Sequence, residues 1–153
     1  MKLFRSSKRQ TDSFDLRVYV VPEEDEDYFC LQVDLLINGS VGVGLPTDLV
    51  ELEKALDSPG EFFIWTCDCG APGCAGRFKG IRVEHLNDRL SFRDLDASPQ
   101  LNFTFETYWV RRTFQETLKQ GARLAESLKG KKLVSIPDQN RKFFDTLSVF
   151  DVS

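Results

Sequence analysis

FDLRVYVVPEEDEDYFCLQVDLLI, residues 14–37, sets the layout of the chain. Leu16, Val18 and Val20 alternate with Arg17 and Tyr19, so one face of a strand is apolar. Pro22 stops that strand, and five consecutive acids follow: Glu23, Glu24, Asp25, Glu26 and Asp27. Residues 28–37 form a second, longer strand that runs into the turn signal Asn38-Gly39. Two strands about a polar loop predict an antiparallel hairpin with an acidic tip.

Downstream, Leu45-Pro46-Thr47-Asp48 opens a short helix to about Leu56, with Thr47 as N-cap and Leu49, Leu52 and Leu56 on one stripe. The apolar run EFFIWT, residues 61–66, reads as a buried central strand. Residues 81–85 and 90–92 alternate around Asn87-Asp88, a hairpin signal, and residues 101–105 alternate again. Residues 108–129 carry the strongest helical pattern: Val110, Phe114, Leu118, Ala122 (or Gly121), Ala125 and Leu128, ended by Gly130. The tail holds Leu133-Val134-Ser135-Ile136, Phe143-Phe144 and Val149-Phe150, apolar enough to dock on the core. The pattern predicts a loose basic arm over residues 1–13. It then predicts one α+β domain over residues 14–153, a mostly antiparallel sheet packed against one long C-terminal helix and a short helix.

The 153 residues are 41% hydrophobic and 29% charged, an ordinary globular balance that argues against global disorder. Apolar runs of four or five residues fall far short of the ~20 needed to span a bilayer, and the N-terminus lacks an apolar signal-peptide core. A cytoplasmic protein with reduced thiols is expected, with no membrane partner. The net charge of −4 hides a block at residues 11–60, where 12 acids meet 2 bases. That block disfavours nucleic acid and suits a basic protein. The acids 23–27, with Asp48, Glu51 and Glu53 on the adjoining helix, are the expected partner-binding face, physically like that of inhibitor or immunity proteins. A solubilising surface is the plain alternative. Trp65, Trp109, Phe62, Phe63, Phe103 and Phe105 sit at strand or helix spacing without interleaved bases, so core packing is expected for them.

Chemistry concentrates in Thr66-Cys67-Asp68-Cys69-Gly70-Ala71-Pro72-Gly73-Cys74-Ala75-Gly76, which holds three of the four cysteines. Its glycines and proline suit a tight loop. Cys67, Cys69 and Cys74 supply three thiolates, and zinc wants a fourth ligand, for which His85 is the only histidine available. Three readings stand side by side: a structural Cys3His zinc site, free thiols in a glycine-rich turn, and a redox switch. Cys30, in a strand between Phe29 and Leu31, belongs to the core. No G-x-S-x-G, P-loop, dinucleotide fingerprint or H-E-x-x-H is present, and the Gly42 and Gly44 pair has the wrong spacing for phosphate. No catalytic residue is therefore assigned.

Residues 62–76 (FFIWTCDCGAPGCAG) followed by residues 80–85 (GIRVEH) resemble an uncharacterised bacterial family of small proteins. These carry a T-C-x-C-G-x-x-G-C-A-G element between two strands, then a hairpin and a C-terminal helix. The resemblance runs from about residue 15 to 129 and implies a bacterial, intracellular, single-domain protein; residues 130–153 stand outside it. The expected function is binding of another protein, with a zinc- or thiol-dependent regulatory protein or enzyme as the alternative.

Overall fold

A computed structural model describes residues 10–23 and 27–144. The expected antiparallel hairpin forms: β1 (Phe14–Pro22) pairs with β2 (Tyr28–Ile37), from Phe14 opposite Ile37 to Pro22 opposite Phe29. Asn38 (φ 53°) and Gly39 (φ 79°) make the next turn, because Asn tolerates and Gly freely adopts positive φ. The chain returns as the short β3 (Ser40–Val41) beside the end of β2. The rest of that edge is taken by β8 (Lys132–Ile136), which lies parallel to residues 28–32. β2 is thus the central strand of the first sheet.

A second sheet is wholly antiparallel: β4 (Gly60–Phe62), β5 (Ile81–Leu86), β6 (Arg89–Asp94) and β7 (Leu101–Glu106), in that order. The β5–β6 turn is at Asn87-Asp88, where the sequence signals it. The long helix α2 (Thr107–Ser127) and the short helix α1 (Leu49–Asp57) complete an α+β fold. Among the described residues, no helix is long and apolar enough to cross a membrane.

Both sheets share one core. Leu31, Val33 and Leu35 from β2 belong to the same buried cluster as Ile81, Val83, Phe92 and Phe105 from the second sheet, with Leu49 and Leu52 of α1 and Val110 and Phe114 of α2. Phe14 joins the sheets edge-to-face: its ring centroid is 5.2 Å from Phe105 at 74°, a favoured aromatic geometry. Of the aromatics expected in the core, Trp109 departs. It is 52% exposed, its ring 5.2 Å from that of Tyr108.

The run at residues 61–66 is not a central strand. Only Gly60–Phe62 pairs, at the edge of the second sheet, and the chain then leaves it. Ile64 and Trp65 are buried by a different route. Asp48 N–H donates to Ile64 O (2.7 Å), Thr66 N–H to Pro46 O (3.2 Å), and Thr47 N–H to Val33 O of β2 (2.9 Å). Residues 46–48 therefore bind residues 64–66 on one side and β2 on the other. A continuous apolar run records burial, not which strand lies alongside.

The tail is integral to the core. Phe144, in α3 (Arg141–Phe144), packs on the backbone of α2 at Gly121, where any Cβ would collide with its ring. This explains why Gly121, not Ala122, lies on the buried stripe. Asn140 is fully buried and accepts from Leu49 N–H (2.8 Å) while donating to Thr47 O (2.9 Å). Val149 and Phe150 lie outside the described residues. At the other end, Asp12 and Ser13, assigned by sequence to the loose arm, are fixed. Asp12 Oδ2 accepts from Thr104 N–H (2.9 Å), and Ser13 N–H donates to Asn38 Oδ1 (2.9 Å).

Candidate functional site

The cysteine loop leaves the core at Trp65 and Thr66, both buried, and re-enters it at Arg77, also buried. Between them a 3-10 turn at Pro72–Ala75 and the positive φ of Gly70 (86°) and Gly76 (75°) fold the segment back on itself. That reversal gathers the thiols. The Sγ atoms of Cys67, Cys69 and Cys74 all lie within 4.8 Å of one another. Three thiolates on a tetrahedral zinc would stand about 3.8 Å apart for Zn–S bonds of about 2.3 Å, so this cluster needs little adjustment to hold a metal. The Sγ atoms of Cys67 and Cys69 are also within bonding distance, with Cα atoms 5.4 Å apart. Cys67 is half-buried, whereas Cys69 and Cys74 are exposed.

The loop rests on a charged base. The Arg77 guanidinium donates twice to Asp94, at 2.5 and 3.3 Å, and lies 5.2 Å from the Trp65 ring centroid. Asp94 and Arg77 are both buried, so each depends on the other to offset its desolvation. Asp96 accepts from the backbone N–H groups of Phe78 (3.0 Å), Lys79 (3.0 Å) and Gly80 (2.8 Å). Burial pushes its carboxyl up, but the amide bonds and the nearby Arg77 outweigh that and hold it below the usual carboxylate range. On the far side Gln139 donates to Gly70 O (2.7 Å) and to Asp48 Oδ2 (3.3 Å), tying the loop to the tail and to α1.

His85 does not join the thiols. Its side chain reaches α1, where Nε2–H donates to Ala55 O at 2.8 Å; the carbonyl can only accept, which fixes the tautomer. Among the described residues no His, Asp or Glu ligand atom falls within the cysteine cluster. Spacing along the chain placed His85 near the loop, but β5 carries it toward the helix. Cys30 is buried in β2 as expected, its Sγ 3.6 Å from Glu23 Oε1. Burial raises its thiol, and the charges of Glu23 and Asp68 add to the rise.

The expected acidic face is redistributed. Asp48 is buried and is the N-cap of α1 in place of Thr47, its Oδ1 accepting from Val50 N–H (2.9 Å) and Glu51 N–H (3.1 Å). Burial raises its carboxyl against the pull of those bonds. Glu51 is tied down by Lys54 Nζ (3.1 Å) and by Phe63 N–H (3.2 Å), and Glu53 pairs with Lys142 (3.4 Å). Glu23 and Asp27 are exposed at the hairpin end, and Glu24, Asp25 and Glu26 lie outside the described residues. β8 brings bases to that end: Lys131 over the Phe29 ring (5.5 Å) and Lys132 over Tyr28 (5.6 Å).

A second charged cluster lies on the outer face of the first sheet. Asp34, buried, accepts from Arg17 (3.0 Å) and from the Tyr19 hydroxyl, whose pKa burial and that carboxylate push up to about 12. It is a satisfied structural network. Sequence reading missed Arg77, Asp94, Asp96, Gln139 and Asn140. The one available signal was Asp94-x-Asp96 closing a strand, since short acids at strand ends commonly bind neighbouring amides.

No family model, curated protein or solved structure matches this chain.

Proposed function

We propose that the cysteine loop is the working centre of the protein, and that it binds a soft metal ion, zinc in the first instance, through the thiolates of Cys67, Cys69 and Cys74. The observation that carries this reading is the gathering of three sulfurs within 4.8 Å on a loop held by a buried ion pair. Pairing of Cys67 with Cys69 is the oxidised form. Two thiols lose two electrons and two protons to an oxidant such as a peroxide, one S–S bond forms, and two of three ligands are lost. Binding and release of metal would then follow the redox state, as in a thiol-dependent regulatory protein.

Metal quantification on reduced, intact protein tests this. One zinc per chain is expected, falling sharply in Cys67→Ser and Cys74→Ser, with peroxide releasing the metal as two thiols disappear. A reduced protein that takes up no stoichiometric metal, with an unchanged melting temperature in Cys67→Ser, overturns it.

Binding of a basic protein partner is a second reading, with a different observation in its favour. Tyr108 (62% exposed) and Trp109 (52%) stand together at the start of α2, Arg112 lies 5.7 Å over the indole, and Glu106 and Glu116 are close by. Exposed Trp, Tyr and Arg are the residue types that dominate interface energetics. An inhibitor or immunity role, with the acids 23–27 contributing, belongs to this reading. Salt-dependent capture of a basic partner that disappears in Trp109→Ala supports it, and capture unaffected by both Trp109→Ala and Ser substitutions at residues 23–27 ends it.

A further inference from the structure

Among the described residues the three thiolates have no fourth ligand beside them. Tetrahedral zinc needs four donors, the chain has a single histidine, and that histidine is spent on Ala55 O. Among the described residues no other His, Asp or Glu ligand atom enters the cluster. The side of the cluster formed by Cys69 and Cys74 faces solvent. Beside it stands the most exposed large apolar side chain among the described residues, Phe78 at 74%. Its ring is at the loop: Cε1 lies 3.8 Å from where a Cβ on Gly73 would stand, one residue from Cys74. Nothing in the core accounts for that ring. Its backbone is held by Asp96 while the ring is left exposed beside Gly73.

Resting on the metal-centre reading, we infer that a metal on Cys67, Cys69 and Cys74 keeps its fourth position open to an imidazole from outside the chain, with the apolar body of that donor lying against Phe78. The charge balance selects the donor. A divalent ion with three thiolates carries one net negative charge, and Asp68, between two of the ligands in sequence, adds another. A neutral nitrogen donor therefore enters more easily than a fourth anion, and imidazole is a good zinc ligand. The partner group this describes is a histidine side chain presented on an apolar surface, completing a Cys3His centre between two molecules. An open, exchangeable position is also what separates reactive zinc sites from closed structural ones.

Cobalt(II) reports on this directly, because its visible bands respond to each ligand. The full-length protein, reduced with a non-thiol reductant, is loaded with one equivalent of Co(II) and titrated with 1-methylimidazole and with 1-benzylimidazole. The expected result is a saturable shift of the visible bands with both probes. The benzyl probe should bind about three- to tenfold more tightly, the range of a single aromatic contact. In Phe78→Ala that preference should fall to about one, with Co(II) uptake unchanged. No Co(II) uptake at all ends the metal-centre reading itself. Uptake with bands that neither probe moves shows a closed site and overturns this inference alone. A benzyl preference that survives Phe78→Ala removes Phe78 from the site.

Discussion

Around the cysteine loop, charge lies inside and reactive atoms lie outside: Arg77 and Asp94 are buried, Asp96 is half-buried, and two of the three thiols are exposed. At the start of α1 the candidate functional groups themselves are drawn in, with Asp48 buried as a cap and Glu51 bound to Phe63 N–H. The difference comes from where unpaired backbone donors are. A helix start offers N–H groups without partners, and a carboxylate next to them is drawn inward to satisfy them. The cysteine loop meets its amide needs with Asp96 from β6's end and with its own carbonyls. Its thiols are thereby left free for other chemistry. An acid or a cysteine becomes available for function when the backbone has no claim on it.

The largest expected effect comes from breaking the base of the loop. Arg77→Ala leaves Asp94 buried without its partner and should cost about 3–5 kcal/mol, lowering the melting temperature by roughly 10 °C or more in thermal denaturation. Metal uptake should weaken with it. A shift of only a degree or two would mean the loop does not depend on that pair.

Acid titration sharpens the contrast, because the two carboxylates have opposite signs. Asp96 is held below its unfolded value near 3.9, so its contribution is complete above that pH and is lost as pH falls through the lower, folded value. Asp48 is raised, so its ionisation opposes folding, and that cost disappears as pH falls through its folded value toward 3.9. Chemical denaturation between about pH 3 and 7 should show Asp96→Asn with a reduced loss of stability in acid. Asp48→Asn, which keeps the cap, should gain relative to the parent as pH rises. Equal slopes in both variants would contradict the two environments.

A smaller effect is expected from the cap itself. Asp48→Ala should lose about 0.5–2 kcal/mol while Asp48→Asn stays close to the parent at low pH. If instead Asp48→Ala alters partner capture without moving stability, Asp48 is a surface residue and the contrast between the two regions fails. The smallest is His85→Ala, which removes one bond to Ala55 O and should cost about 0.5–1.5 kcal/mol with metal stoichiometry unchanged. Loss of metal in that variant would restore His85 as a ligand.

Much of the fold is legible along the chain because its signals are local. The opening hairpin follows from period-two alternation on either side of the acidic loop at residues 23–27, and α2 from an apolar stripe closed at Gly130. The clustering of Cys67, Cys69 and Cys74 is local in the same sense, since eight residues rich in glycine can hardly separate them.

What the amino-acid sequence determined by itself is therefore the α+β class, most element positions, and the gathering of three thiols. Only tertiary structure decided that the strands divide into two sheets, that β2 is central, and that residues 132–144 seal the core through Ser135, Asn140 and Phe144. It also decided that His85 turns to α1 while Asp48 turns inward. The physical reason is range. Periodicity and turn chemistry act over a few residues, whereas ligand sets, ion pairs and caps are completed by groups that meet across tens of residues. Arg77 and Asp94 are 17 positions apart, His85 and Ala55 are 30, and Asn140 and Leu49 are 91. Those meetings are set by the packing of sheets and helices, which spacing along the chain does not encode.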